Sequence, residues 1–146
     1  ADLRTYEPGR QFDLIFSNPP YIRKATGFLS DSDEKSAAKH ELHGDIGDVM
    51  EKTAEWLAPG GRACFIYPEK RRSDFARAAN RRDFRILRFR HVLPRQGEPP
   101  KLFLVELGFA TATEGAPADP EITPPLVLFG PDGKYTPAAE AVFSGP

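Results

Sequence analysis

Among 146 residues there is one cysteine, Cys64. A lone thiol excludes an internal disulfide and any zinc cluster built on several thiolates, and its environment is expected to be the reducing cytoplasm. Long apolar runs are also missing. No stretch approaches the roughly 18 uninterrupted apolar residues of a membrane span, and Ala1-Asp2-Leu3-Arg4 carries charge where a signal peptide would begin its apolar core. No membrane partner is therefore expected. Net charge is almost absent, at −1, but it is unevenly spread. From Glu69 to Arg95 ten Lys or Arg face three acids, a net +7, which leaves −8 on the remainder. A cationic segment on an anionic body is the footprint of a polyanion-binding surface. A solvated helix face followed by a strand with exposed arginines would carry the same charge. The apolar fraction, 40%, supports one domain, or part of one, with a modest core.

What is present reads as alternating strands and helices. Asp13 to Ser17 is a short apolar run, a buried strand in a layered fold. Asn18-Pro19-Pro20 must stop it, because proline has no ladder donor and keeps the preceding residue out of the helical region. Arg23 to His43 is polar and weakly patterned, a loop with a short helix. Ile46, Val49, Met50, Ala54 and Leu57 recur at helical spacing until Pro59-Gly60-Gly61. Arg62 to Tyr67 is a second buried strand closed by Pro68. Glu69 to Arg82 is a basic helix with Phe75, Ala78 and Ala79 inward. Phe84 to Leu93 and Lys101 to Phe109 are strands joined by too few residues for a crossover helix, so they are expected to be antiparallel. Ala110 to Pro125 reads as a flexible connection, followed by a short strand at Leu126–Phe129 and a last helix after Tyr135-Thr136-Pro137. This order implies an α/β fold: a parallel sheet built from βαβ crossovers, with an antiparallel edge hairpin. Such sheets bind ligands beyond the carboxyl ends of their strands, where both Asn18-Pro19-Pro20-Tyr21 and Pro68 to Arg72 fall.

The first of these turns suits one chemistry. The exocyclic amine of adenine, or a carboxamide nitrogen, is a poor nucleophile because its lone pair is delocalised. Accepting hydrogen bonds from its two N–H groups draws the nitrogen toward tetrahedral geometry and stabilises the cation that forms on attack. Asn18 supplies a side-chain acceptor, and Pro19 a carbonyl with no competing N–H. The prolines fix that carbonyl's direction, and Tyr21 can lie flat on a base for roughly 1–3 kcal/mol. No strong base is needed, because the product cation is acidic. The same residues would also serve as an ordinary strand-ending turn.

On these residues the chain resembles class I S-adenosylmethionine-dependent methyltransferases of the amino-methylating type. Within them it resembles the bacterial adenine-N6 methyltransferases of valine tRNA. The resemblance runs from Asp2 to about Thr136 and includes Phe12–Tyr21, Ala37-Ala38-Lys39-His40-Glu41, Trp56-Leu57-Ala58-Pro59-Gly60-Gly61-Arg62 and Ile66-Tyr67-Pro68-Glu69-Lys70-Arg71. It extends to Pro124-Pro125-Leu126-Val127 and Asp132-Gly133-Lys134-Tyr135-Thr136. It implies S-adenosylmethionine as cofactor and tRNA as partner. Asn18 and Pro19 would bind the target amine, Pro20 would complete the catalytic turn and Tyr21 would stack on the flipped base. Asp2, with Leu3 beside it, would hold the cofactor's adenine, and Lys70, Arg71 and Arg72 would meet RNA phosphates.

One departure limits the resemblance. The family holds the methionine end of its cofactor on a glycine-rich turn after its first strand, and Gly44 and Gly47 cannot stand in because they open a helix after the catalytic turn. The chain is therefore expected to correspond to the carboxyl-terminal half of a Rossmann-like class I sheet, with an incomplete cofactor site and no activity by itself. Residues 1–110 would be the carboxyl-terminal part of the methyltransferase domain and 111–146 an extension with a short strand and terminal helix. Leu14 to Ser17 would form an exposed apolar edge that self-associates or takes a complementing chain. The alternatives are a protein-glutamine N5 methyltransferase, whose carboxamide acceptor poses the same lone-pair problem, and a non-catalytic RNA-binding fragment.

Overall fold

The first apolar run forms β1 (Phe12–Ser17). The computed structural model describes residues 2, 4–19, 45–113 and 115–145; Leu3, Pro20, Tyr21 and the stretch read as a loop with a short helix lie outside the described residues. Helix α1 (Ile46–Trp56) starts at a reciprocal cap. The Asp48 N–H donates to the Asp45 carboxylate at 3.0 Å, and the Asp45 N–H donates to the Asp48 carboxylate at 3.1 Å, which satisfies two donors that a helix start leaves free. Then come β2 (Leu57–Pro68), a 3-10 turn (Glu69–Arg71), α2 (Arg72–Asn80), β3 (Phe84–Arg95) and β4 (Leu102–Phe109). Two short strands, β5 (Glu121–Ile122) and β6 (Leu126–Phe129), precede α3 (Pro137–Ser144), whose first turn is capped by the Thr136 hydroxyl.

The sheet order is β1-β2-β4-β3-β5, with β6 also on β3. β1 and β2 are parallel across α1, and the short Pro94–Pro100 connection makes β3 and β4 antiparallel. β4 also pairs with β2, so it lies inside the sheet between β2 and β3. The outer side of β3 is then met in parallel by β5 and β6. Part of the expected flexible connection is thus ordered: the Thr123 N–H donates to the Phe89 carbonyl at 3.0 Å, because β3 has backbone groups there that need partners. β2 also begins earlier than Arg62. Its pairing with β1 slips between Phe12↔Leu57 and Leu14↔Arg62, and Pro59-Gly60-Gly61 takes up the slack. Gly61 is required there. A Cβ at that position would stand 2.7 Å from Leu57 Cδ1 and 3.0 Å from the carbonyl oxygens of Ala58 and Asp13.

Both α1 and α2 cover one face of the sheet. Val49 and Met50 of α1 and Phe75, Ala78 and Ala79 of α2 pack on Ala63, Phe65 and Tyr67 of β2 and on Phe103, Val105 and Leu107 of β4. Phe75 is the centre, with ring centroids 5.4 Å from Phe65, 5.6 Å from Tyr67 and 5.3 Å from Phe103. Aromatic pairs at these separations add about 0.5–1.5 kcal/mol each to area burial. Among the described residues no helix covers the other face. β1 ends the sheet there, and Leu14 and Phe16 are 51% and 74% exposed. That is the open apolar edge the sequence led us to expect. Among the described residues no helix is long and apolar enough to cross a membrane.

Candidate active site

β1 and β2 run the same way, and β3 runs parallel to both because β4 opposes β2 and β3 alike. Their carboxyl ends therefore share one rim, the side on which open α/β sheets hold ligands. Asn18 follows β1 at this rim and is exposed, while Pro19 is buried. A buried proline directly after an exposed residue fixes the chain there, since its φ is locked and it needs no N–H partner. Pro20 and Tyr21 lie outside the described residues.

Open space adjoins the Asn18 amide. A groove of about 610 Å³ runs over the uncovered sheet face. Phe16 and Asn18 form one wall, Cys64 and Ile66 the floor, and Arg88 and Thr123 lie at the far side. Arg88 Nε donates to Glu106 Oε2 at 3.0 Å across the β3–β4 pair. The Glu106 carboxylate is thereby tied up, and the described lining of the groove holds no other carboxylate to act as a base. Burial foremost, with the Glu106 charge behind it, pushes the Cys64 thiol above its ordinary range, so this floor residue stays a neutral, inert thiol. The groove thus offers an apolar surface beside one exposed amide acceptor. That arrangement can hold a planar amine, with no base needed before attack.

Asp2 lies near the same end. Its carboxylate accepts from the Arg4 backbone N–H at 2.9 Å and from Arg4 Nη2 at 3.0 Å. That contact is the main cause that raises the Arg4 pKa, and Asp48 in the first turn of α1 adds to it. Tyr6 stands edge-on to Trp56 at 5.6 Å, and Lys52 of α1 reaches Glu7 at 3.2 Å. The leading segment therefore runs down α1 from its first turn to its last before entering β1. Both oxygens of the Asp2 carboxylate already accept from Arg4, so a hydroxyl or amine of S-adenosylmethionine would share Asp2 with Arg4, while Asn18 stands exposed. Among the described residues no glycine-rich turn follows a strand ahead of β1, so the fit is partial.

Lys70, Arg71 and Arg72 sit at the next strand tip. Phe65 of β2 is opposite Ser17, and Pro68 ends β2 three residues later, so these cations stand roughly 10 Å further along the rim at strand rise. Arg72 is held by Glu69 at 3.3 Å and lies over the Phe89 ring at 5.6 Å. Lys70 is exposed, and neither Lys70 nor Arg71 has an ion-pair partner among the described residues. The structure thus brings Asn18 and Asp2 to one end of the fold and leaves the basic tip a step away. Sequence reasoning missed Arg88 and Glu106, whose meeting depends on cross-strand register.

No protein-family model matches the chain. It is 29% identical over 106 residues to the tRNA1(Val) (adenine(37)-N6)-methyltransferase of Aliivibrio fischeri, covering 73% of this chain and 44% of that protein. It is 30% identical over 106 residues to the protein of the same name from a Flavobacteriaceae bacterium, again covering 73% of this chain and 44% of the relative. The chain therefore spans less than half the length of these curated relatives. Among solved structures it resembles a protein predicted to be an O-methyltransferase from Agrobacterium tumefaciens, with TM-score 0.58, 17% identity and coverage of 94% of this chain and 57% of that one. It also resembles a protein assigned to the class I S-adenosylmethionine-dependent methyltransferases from Listeria monocytogenes, with TM-score 0.56, 18% identity and coverage of 89% and 42%. The fold is that of class I methyltransferases, and the resemblance read from the motifs stands.

Proposed function

We propose that this chain supplies the acceptor-binding half of an S-adenosylmethionine-dependent N-methyltransferase acting on the exocyclic N6 of adenine in tRNA. The observation that carries the reading is the exposed Asn18, followed by a buried Pro19, at the carboxyl end of β1 where it lines open space. Asn18 Oδ1 and the Pro19 carbonyl accept the two N–H groups of the target amine, Pro20 stiffens the turn, and Tyr21 stacks on the base. S-adenosylmethionine would supply an electrophilic methyl group, with Asp2, Leu3 and Asn18 as the residues of this chain that would hold it. Acceleration comes from positioning and from acceptors that strengthen as positive charge grows on nitrogen. Lys70, Arg71 and Arg72 hold RNA phosphates, the feature that favours RNA over a glutamine side chain as acceptor. The lone cysteine and a tRNA acceptor fit a cytoplasmic setting. The exposed β1 edge pairs with a complementing segment, either from further polypeptide or from a second copy.

The test is transfer of tritiated methyl groups by the full-length polypeptide to unmodified tRNA and to a release-factor-like protein. Label recovered in tRNA as N6-methyladenosine supports the reading. Label in the protein alone assigns the glutamine reaction, and RNA binding without transfer to either acceptor assigns a non-catalytic RNA-binding module.

A further inference from the structure

The tip of the β3–β4 hairpin carries a lysine that the topology, rather than the sequence order, brings beside the basic turn after β2. The Glu69 N–H donates to the Lys101 carbonyl at 3.0 Å, and the Lys101 N–H donates to the Val92 carbonyl at 3.1 Å. Lys101 is thus pinned by its backbone between the exits of β2 and β3, while its side chain is exposed. At strand spacing and one Cα step, its Cα lies within about 9 Å of that of Lys70, close enough for the two ammonium groups to meet neighbouring phosphates of one strand. The carboxylate in this turn is already occupied: Glu69 Oε1 takes Arg72 at 3.3 Å and Glu69 Oε2 takes the His91 ring at 3.2 Å. Glu69 therefore presents little free negative charge, whereas Lys70, Arg71 and Lys101 have no ion-pair partner among the described residues.

We propose that Lys101 joins Lys70 and Arg71 in a cationic shelf that grips the RNA backbone away from the target nucleotide. The inference rests on the RNA reading. From Ser17 to the shelf, two strand spacings across and four residues along give on the order of 15 Å. The shelf therefore holds phosphates several nucleotides from the base at Asn18, and it sets where along the RNA the target adenine can lie. The partner is a folded or looped RNA. An acidic polypeptide would meet the same charges but lacks a regular series of phosphates.

The experiment is binding of a tRNA anticodon stem-loop by fluorescence anisotropy across a salt series, for the unaltered protein and for Lys101→Ala, Lys70→Ala and Lys101→Arg. Each lost phosphate contact should reduce the slope of log affinity against log salt by about 0.7–0.9. Lys101→Ala and Lys70→Ala should each do so, and Lys101→Arg should keep the slope. The Lys101 N–H and carbonyl remain in place in every variant, so the fold is retained, and circular dichroism checks this. If Lys70→Ala lowers the slope and Lys101→Ala does not, the shelf is overturned while the RNA reading stands. If polyglutamate competes as well as RNA at equal charge, the shelf belongs to acidic proteins and the proposal fails. If the unaltered protein shows no salt-dependent RNA binding, the shelf and the RNA reading fail together.

Discussion

Two neighbouring glycines should respond in opposite ways to the same added methyl group. At Gly61 a Cβ would meet Leu57 Cδ1 at 2.7 Å and the carbonyl oxygens of Ala58 and Asp13 at 3.0 Å. Leu57 is 1% exposed and cannot swing away into solvent, and the carbonyls belong to paired backbone. Overpacking of this kind costs about 1–3 kcal/mol, partly offset by about 0.4–1 kcal/mol from the stiffer unfolded chain. Gly61→Ala should therefore lower stability by about 1–2 kcal/mol. At Gly60 nothing lies within 4 Å of the added atom, so Gly60→Ala should be neutral or raise stability by up to about 1 kcal/mol. Urea unfolding followed by far-ultraviolet circular dichroism measures both. The strain at Gly61 also has a direction. It pushes on Asp13 in β1, the strand that leads into Asn18, so Gly61→Ala should reduce methyl transfer more than its stability loss explains. Equal effects of the two substitutions on the urea midpoint would refute the close approach, and with it the account of why β2 bends there.

Two further outcomes follow from burial. Burial foremost raises the pKa of Tyr67, and likewise that of Cys64. A raised folded pKa contributes stability that is complete below the unfolded value and lost as pH climbs through the folded one. The urea midpoint should therefore fall above about pH 8.5, where an unfolded thiol begins to ionise, and more steeply above about pH 10, where an unfolded phenol does. Tyr67→Phe should flatten the upper limb; a midpoint that Tyr67→Phe leaves with the same alkaline slope would contradict this. At the open edge, Leu14 and Phe16 are 51% and 74% exposed, and the chain by itself should self-associate through them. Phe16→Lys should shift sedimentation toward monomer, since a charge on an edge strand blocks pairing; an unaltered chain that sediments as monomer would refute it.

Much of the fold was legible because periodicity reports burial directly. Ile46, Val49 and Met50 mark the inner face of α1, and Phe75, Ala78 and Ala79 that of α2. The place of β4 was harder to read. Its short link to β3 fixes direction but not which strand lies on its other side. The near-continuous apolar run of Leu102 to Phe109 was the available signal, since strands flanked on both sides read this way. Glu121–Ile122 gave no signal, because two residues held by backbone bonds to β3 need no side-chain pattern. At the site, Asn18 and Pro19 were readable as a strand end meeting a proline. The Arg88–Glu106 pair was not, because an irregularity between Ile86 and Arg88 shifts the register. Lys101 was hidden for a related reason: only the hairpin's return places it beside Glu69.

The central claim is that an amide acceptor at the tip of β1 holds the amine that is methylated. Its most direct test is the rate of N6-methyladenosine formation in tRNA by full-length protein carrying Asn18→Ala, with folding and tRNA binding measured on the same sample. Loss of one preorganised polar partner costs about a hundred- to a thousandfold in turnover, so a fall of that size with melting temperature and tRNA affinity unchanged is the expected result. Turnover within a few-fold of the unaltered protein would contradict the account.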